Sequence, residues 1–161
     1  MTKKELTIPV EVYADSRELK PEDALLLDRA RKATGDAYAP YSRFRVAAAA
    51  RLANGEILTG TNQENASFPA GICAERAALS TASAIYPGIA VTDLAVSCFQ
   101  EGAVNSRPIS PCGICRQTLT EYELRAGRPL RLILGGYSGE VYIINCATDL
   151  LPLAFTAAEM E

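Results

Sequence analysis

The chain has 161 residues, of which 48% are hydrophobic and 22% are charged. This size and balance predict one folded domain and exclude disordered, collagen-like and low-complexity proteins. Sixteen Lys and Arg residues against 19 Asp and Glu residues give a net charge of −3. An acidic chain lacks the basic surface that nucleic acid or an acidic membrane requires, so neither partner is expected and small-molecule chemistry is favoured.

The sequence also predicts a cytoplasmic protein. Glu5 and Pro9 interrupt the N-terminal segment, which leaves no apolar stretch of the length that a secretory signal needs. The longest uncharged stretch, residues 77–92, contains several hydroxyl side chains and Pro87, unlike a membrane span. Five cysteines do not suit a secreted disulfide framework. Because the chain has no histidine, any metal must be bound by sulfur and oxygen.

The hydrophobic pattern predicts one mixed sheet covered by helices. Residues 1–20 are assigned to an N-terminal arm, compatible with an edge strand, and residues 21–161 to a single domain. Helices are expected at 21–34, 73–86 and 111–127, and strands at 45–52, 56–62, 91–99, 131–134 and 141–145. The last two strands are too close in sequence for a parallel crossover, so they form an antiparallel hairpin. The predicted fold class is α/β, a three-layer α/β/α sandwich with one mixed five-stranded sheet.

Three cysteines stand at the starts of two predicted helices. Cys73 begins the second helix, and the Cys-x-x-Cys pair of Cys112 and Cys115 begins the third. Helix N-termini favour thiolate over thiol, so these sulfurs are suited to bind one zinc ion. Structural zinc sites normally have four protein ligands, whereas three leave room for water, whose pKa zinc lowers to about 7. The pattern therefore predicts a zinc centre that activates water.

Glu75 follows Cys73 by two residues, where it is placed to move protons and is not easily a fourth ligand. A first ligand, one residue, Glu and a later Pro-Cys-x-x-Cys form the signature of zinc-dependent nucleobase deaminases. Deamination needs a hydroxide to attack an amidine-like carbon, a proton for the ring nitrogen and another for the departing ammonia. One zinc ion and one carboxylate can meet all three needs.

With these motifs the sequence resembles the small cytidine deaminases of the homotetrameric, three-cysteine type, over about residues 36–155. The resemblance implies Zn²⁺ as the cofactor, Cys73, Cys112 and Cys115 as its ligands, and Glu75 as the proton shuttle. The implied activity is hydrolysis of cytidine, and of deoxycytidine, to uridine and ammonia in pyrimidine salvage. The resemblance alone is the basis for expecting a homotetramer.

The same resemblance implies roles for four residues that would contact the nucleoside. Phe44, in Tyr-Ser-Arg-Phe-Arg-Val, would line the base pocket, and Asn62 and Glu64, in Asn-Gln-Glu-Asn, would hydrogen-bond the ribose. Phe155, in Leu-Pro-Leu-Ala-Phe, would reach the pocket of a neighbouring subunit. Without the family match, the two phenylalanines would be interpreted as core residues. The alternative for Asn62 and Glu64 is that they are turn-forming polar residues at a strand end.

Two alternatives concern the sulfurs. Cys98 lies in a predicted strand and Cys146 directly follows one, in strand patterns where a free cysteine is usually a small core residue. If one of them completed a four-cysteine site, the protein would be a non-catalytic zinc module. A redox role for the Cys-x-x-Cys pair would leave Cys73 and Glu75 unexplained.

Other positions bear on the substrate and on charge. Ala47 stands where the family usually has glycine and is expected to crowd the backbone near the base, and Phe68 stands where a tyrosine is common. These departures leave open another cytosine-like substrate, such as a blasticidin-type antibiotic or a modified pyrimidine. A zinc ion with three thiolates and a hydroxide carries net negative charge. Arg76 and Arg116, each next to a motif, are the hypothesised partners that offset it.

Overall fold

The computed structural model describes residues 1–160, and each predicted helix and strand is present. The strands are β1 (Glu11–Tyr13), β2 (Phe44–Leu52), β3 (Ile57–Thr61), β4 (Val91–Gln100), β5 (Arg131–Gly135) and β6 (Val141–Ile144). The helices are α1 (Pro21–Ala33), α2 (Ala74–Ile85) and α3 (Gly113–Ala126). In this part of the chain, no helix combines the length and the apolar character that crossing a membrane requires.

All the strands belong to one mixed sheet with the order β1-β6-β5-β4-β2-β3. Only β4 and β5 are parallel, and β5 and β6 form the predicted antiparallel hairpin. The predicted count of five strands is wrong, because β1 pairs with β6 and adds a sixth strand. The sequence pattern of residues 1–20 is compatible with an edge strand, but a three-residue strand with mostly exposed side chains gives too weak a signal to be counted in the sheet.

The sheet separates two apolar layers, which confirms the three-layer sandwich. Successive strand residues point to opposite faces. Ala49, Ala95 and Ile133 pack in the layer that contains the buried side of α1. Their neighbours along the same strands, Ala50, Leu94 and Leu132 among them, pack in the layer that contains α2 and α3.

A close backbone contact holds α2 against the sheet. Gly60 lies on β3, and a Cβ atom at this position would lie 2.2 Å from the backbone nitrogen of Ala78 and 2.8 Å from the carbonyl oxygen of Ala74. Only glycine permits such an approach. The contact sets the distance between α2 and the sheet, and thus the position of the N-terminus of α2.

At the end of the sheet where β4 and β5 begin, two aspartates and two arginines form an ion-pair cluster. Its members are Asp23 on α1, Arg51 on β2, Asp93 on β4 and Arg131 on β5. Arg131 lies 3.0 Å from Asp23 and 2.7 Å from Asp93, and Arg51 lies 3.5 Å from Asp93. The hydrogen bond with Asp23 raises the pKa of Arg131, with smaller contributions from Asp93. The cluster therefore links α1 to three strands.

Candidate metal centre and cavity

Three cysteine sulfurs meet where α2 and α3 begin, at the opposite end of the sheet from the ion-pair cluster. Cys73 and Cys112 are the N-caps of α2 and α3, and Cys115 is buried in the first turn of α3. The Sγ atom of Cys112 lies 3.9 Å from that of Cys73 and 3.5 Å from that of Cys115. Sulfurs bound to one tetrahedral zinc ion lie about 3.8 Å apart, given Zn–S bonds of about 2.3 Å. This donor set therefore fits zinc.

No other cysteine joins the three. Among residues 1–160, they form the only group of three or more Cys, Asp or Glu ligand atoms placed closely enough to share an ion. Cys98 is buried in β4, and Cys146 is half-buried after β6. Burial raises the pKa of both thiols, as expected for structural cysteines. The geometry contradicts the four-cysteine alternative.

The thiols of Cys73 and Cys115 perturb each other strongly. Hydrogen bonding to Cys115 lowers the pKa of Cys73 to about 6. The same hydrogen bond, together with burial, raises the pKa of Cys115. One thiolate is thus easily formed, whereas further deprotonation would place like charges side by side. A bound cation removes that obstacle, because metal binding displaces protons from its thiol ligands.

Glu75 lies in the first turn of α2 and is only 5% exposed. Burial is the main reason that the pKa of its carboxyl is raised, and a hydrogen bond with Cys115 partly opposes the shift. A buried carboxyl with a raised pKa accepts a proton more readily than a free one, which a group that both accepts and donates protons requires. Its position beside the sulfurs suits a general acid and base.

A cavity of about 500 Å³ connects the metal centre to the other predicted site residues. Its walls include Cys73, Glu75 and Cys112 together with Phe44, Asn62 and Glu64. This size lies within the range of small-molecule sites. The structure therefore brings these predicted residues together around one cavity.

Phe155 lies elsewhere. Its side chain does not line this cavity, the residue is 62% exposed, and its carbonyl oxygen accepts a hydrogen bond of 2.9 Å from Gln117 on α3. The core interpretation does not apply to so exposed a side chain. Its predicted contact with a neighbouring subunit stays a prediction.

The two departures from the family pattern have different surroundings. Ala47 is fully buried on β2 and lies on the face towards α1, whereas Phe44 and Val46 line the cavity on the other face. The expectation that Ala47 crowds the base is therefore wrong, because strand alternation turns its methyl group away. Phe68 lines the cavity, is 75% exposed, and packs edge-to-face on Tyr41 with ring centroids 5.9 Å apart.

The two arginines next to the motifs also differ. Arg76 lines the cavity and, after the effect of the Cys115 hydrogen bond, its charge contributes to lowering the pKa of Cys73. Arg116 donates hydrogen bonds to the carbonyl oxygens of Pro111 (2.8 Å) and Leu150 (3.1 Å). Arg116 thus fastens the segment before α3 to the C-terminal part of the chain, and only Arg76 faces the cavity.

Sequence reasoning missed one residue of the site. Ser42 donates a hydrogen bond from its hydroxyl to Glu64 and accepts one of 3.0 Å from the backbone N–H of Phe44. Ser42 and Phe44 are two residues apart, a spacing at which serine commonly caps a turn. That spacing could have indicated the hydrogen bond between Ser42 and Phe44 from the sequence alone. The contact of Ser42 with Glu64 could not be predicted, because it depends on the fold.

The fold and the site define a zinc-binding α/β/α protein with three thiol ligands and a buried acid beside a cavity. Residues 20–127 match the family model of the cytidine and deoxycytidylate deaminase zinc-binding region. The cytidine deaminase of Halalkalibacterium halodurans is 38% identical over 137 residues, 85% of this chain and 96% of that protein. The chain therefore belongs to the cytidine and deoxycytidylate deaminase family, whose members are zinc-dependent hydrolases.

Solved structures agree with this assignment. The crystal structure of cytidine deaminase from Burkholderia pseudomallei is 38% identical, with a TM-score of 0.71, and the match covers 85% of this chain and all 100% of that one. For cytidine deaminase from Mycobacterium tuberculosis the identity is 33%, the TM-score is 0.64, and the coverage is 82% and 95%. Most of the fold is thus shared.

Proposed function

We propose that this chain catalyses the hydrolytic deamination of cytidine and deoxycytidine to the corresponding uridines, with release of ammonia. One observation carries the proposal. Cys73, Cys112 and Glu75 line one cavity together with an aromatic ring, an amide and a carboxylate, and Cys115 completes the group of three sulfurs. A cytosine nucleoside has groups that match this lining: an exocyclic amine for the metal centre and Glu75, a flat base for the aromatic ring, and a hydroxylated sugar for the amide and the carboxylate.

In this proposal Cys73, Cys112 and Cys115 would hold the zinc ion, which would supply an activated water for the reaction. Zinc bound in this way leaves a position for water and lowers the pKa of that water to about 7. Glu75 would take one proton from the attacking water and pass it to N3 of the base, and would then take the second proton from the hydroxyl group on C4 and pass it to the departing amine, so that ammonia leaves and the carbonyl forms. Its raised pKa suits this shuttle, because a carboxylate of higher pKa is a stronger base and more readily holds the proton that it later donates.

The remaining residues orient the nucleoside. Phe44 packs against the base from the cavity wall, and Asn62 and Glu64 hydrogen-bond the ribose hydroxyls. A hydrogen bond from Ser42 lowers the pKa of Glu64, so this carboxylate is charged and ready to accept at neutral pH. Holding the base close to the attacking water converts binding energy into rate.

An ultraviolet assay of the zinc-loaded protein tests the activity and the substrate together. Cytidine, deoxycytidine, free cytosine and blasticidin S are supplied separately, and loss of the cytosine chromophore is followed. We expect turnover of both nucleosides and little turnover of cytosine, because the base alone cannot use Asn62 and Glu64. Turnover of blasticidin S in preference to cytidine would overturn the proposed substrate and favour the antibiotic-type alternative.

We further propose that the protein is a cytoplasmic homotetramer that acts in pyrimidine salvage. In support, large apolar side chains are exposed near the cavity and on the C-terminal segment, with Phe68 at 75%, Ile114 at 63% and Leu153 at 89%. Exposed apolar residues of this size are typical of surfaces that bury against another chain. Light scattering of the purified protein should give four times the chain mass of 17.2 kDa. A monomer would overturn the tetramer and the predicted role of Phe155.

A further inference from the structure

The turn that leads into β2 contains a residue in an unfavourable backbone conformation. Arg43 has a φ of 56°, in the left-handed region that residues other than glycine and asparagine rarely adopt. Arg43 immediately precedes Phe44, the first residue of β2, whose side chain lines the cavity. The direction in which the phenyl ring enters the cavity therefore depends on a turn that is not intrinsically stable.

Side-chain hydrogen bonds hold this turn. The hydroxyl oxygen of Ser42 accepts a hydrogen bond of 3.0 Å from the N–H of Phe44, so it spans Arg43. The same hydroxyl donates to one carboxylate oxygen of Glu64. The other oxygen of Glu64 accepts from the N–H groups of Tyr41 (2.8 Å) and Ser42 (3.2 Å). One carboxylate thus receives three hydrogen bonds from two consecutive residues of the turn.

Asn62 holds the other side of Phe44. Its amide nitrogen donates to the carbonyl oxygen of Phe44 (2.9 Å), and its amide oxygen accepts from the N–H of Val46 (2.8 Å). Both polar backbone atoms of Phe44 are therefore bound by side chains, the N–H by Ser42 and the carbonyl by Asn62. Backbone that is fixed on both sides presents its side chain in one direction.

We propose that Ser42 is a positioning residue for the reaction. Its hydroxyl joins the Glu64 carboxylate to the Phe44 N–H, holds the left-handed turn at Arg43, and so fixes the ring that packs on the base. The expected effect on catalysis rests on the proposed function. The hydrogen bonds of Ser42 are independent of that function. Ser42 acts through Phe44 and touches neither the metal centre nor the reacting atoms.

Kinetics of Ser42→Ala provide the first test. We expect KM for cytidine to rise about tenfold while kcat stays within about twofold, because the ring binds the base and takes no part in proton transfer. Ser42→Thr keeps the hydroxyl and should restore most of the affinity. Ser80→Ala is the matched control, since Ser80 is exposed on α2 and no hydrogen bond of its side chain is found in residues 1–160. An unchanged KM in Ser42→Ala would overturn the proposal.

A second substitution tests whether Ser42→Ala acts through the turn at Arg43 or through a general weakening of the site. Asparagine adopts the left-handed region more easily than arginine, so the turn of an Arg43→Asn protein needs less support. In the Ser42→Ala background, Arg43→Asn should therefore recover a substantial part of the lost affinity. Arg43→Asn alone should keep the wild-type KM, because this side chain is exposed. Failure of Arg43→Asn to recover any affinity would overturn the role assigned to the turn.

Hydrogen exchange of the zinc-loaded protein without nucleoside distinguishes failure of this inference from failure of the proposed function. The backbone N–H of Phe44 should exchange at least about tenfold faster in Ser42→Ala than in the wild type or in Ser80→Ala, since its acceptor is lost. If the wild type deaminates no cytidine but this exchange still accelerates, only the proposed function fails. Unaltered exchange at Phe44 would contradict the inference whatever the activity.

Discussion

The two ends of the sheet both contain clusters of ionisable groups, but only one cluster is complete by itself. The ion-pair cluster combines two aspartates with two arginines, so its charges balance. The metal centre combines three thiols with the buried acid Glu75, and among the described residues none of its members forms an ion pair with a cation. Buried charge is tolerated only when it is paired or binds a metal. The absence of balancing positive charge therefore identifies the metal centre as the end of the sheet that binds a cation.

The difference also separates stability from chemistry. At the ion-pair end, each charge is met by a neighbour from another element, so the cluster has nothing left to offer a ligand. At the metal end, sulfurs and a carboxyl open onto a cavity. We therefore expect changes at the first end to alter the free energy of unfolding, and changes at the second end to alter activity most.

Removal of zinc should have the largest effect. Prolonged dialysis against a strong chelator should reduce cytidine turnover below detection, and stoichiometric zinc should restore it. The melting temperature should also fall, because binding energy to the folded state is lost. Elemental analysis beside the ultraviolet assay measures both. Full activity in protein shown to contain no metal would refute the assignment of the chemistry to the metal end of the sheet.

Glu75→Gln should have the next largest effect. The amide cannot transfer protons, so kcat should fall by about 10² to 10⁴, the usual contribution of general acid–base catalysis. Zinc content should stay at one ion per chain, because Glu75 is not needed as a ligand. Loss of zinc from this variant would mark Glu75 as a structural residue instead.

Asp23→Asn should break the ion-pair cluster and leave the chemistry intact. Asp23 is 1% exposed, and removing one partner of a buried ion pair typically destabilises a protein by about 3 to 5 kcal/mol. Urea denaturation should show the loss, while kcat of the protein that remains folded stays near the wild-type value. Asp28→Asn is a suitable control, since Asp28 pairs with Lys32 at the surface. A large fall in kcat would show that the two ends are not independent.

Gly60→Ala tests whether the metal centre depends on the packing of α2. The added methyl group would meet the α2 backbone, so we expect a loss of about 1 to 3 kcal/mol in stability. Because displacement of α2 moves Cys73, zinc affinity should fall as well. Gly35→Ala is the control, because no atom lies within 4 Å of its added Cβ. Zinc affinity equal to that of the control would show that the metal centre does not depend on the contact between α2 and Gly60.

The double substitution of Cys98 and Cys146 by alanine should have the smallest effect on the site. Neither sulfur belongs to the group of three, so zinc stoichiometry and kcat should match the wild type. A modest loss of stability is expected at the buried Cys98 position. Loss of zinc would revive the four-cysteine interpretation.

Local patterns in the sequence determined much of the molecule. Cys112 and Cys115 are three residues apart at the start of a helix, and that spacing places both sulfurs on one side whatever surrounds them. The apolar periods predicted the strands and helices in the same way. Residues within one turn of each other are held by backbone geometry, so their arrangement can be predicted without the fold.

Only the tertiary structure decided how distant segments meet. Cys73 comes within 3.9 Å of Cys112 because α2 is packed against Gly60, a contact that no local pattern reveals. The register of β2 turned Ala47 away from the cavity and gave Ser42 its place between Glu64 and Phe44. Such contacts depend on which strands pair and on how closely the helices approach the sheet. The same hydrophobic pattern along the chain is compatible with several strand orders and several layer distances, so it cannot predict these contacts.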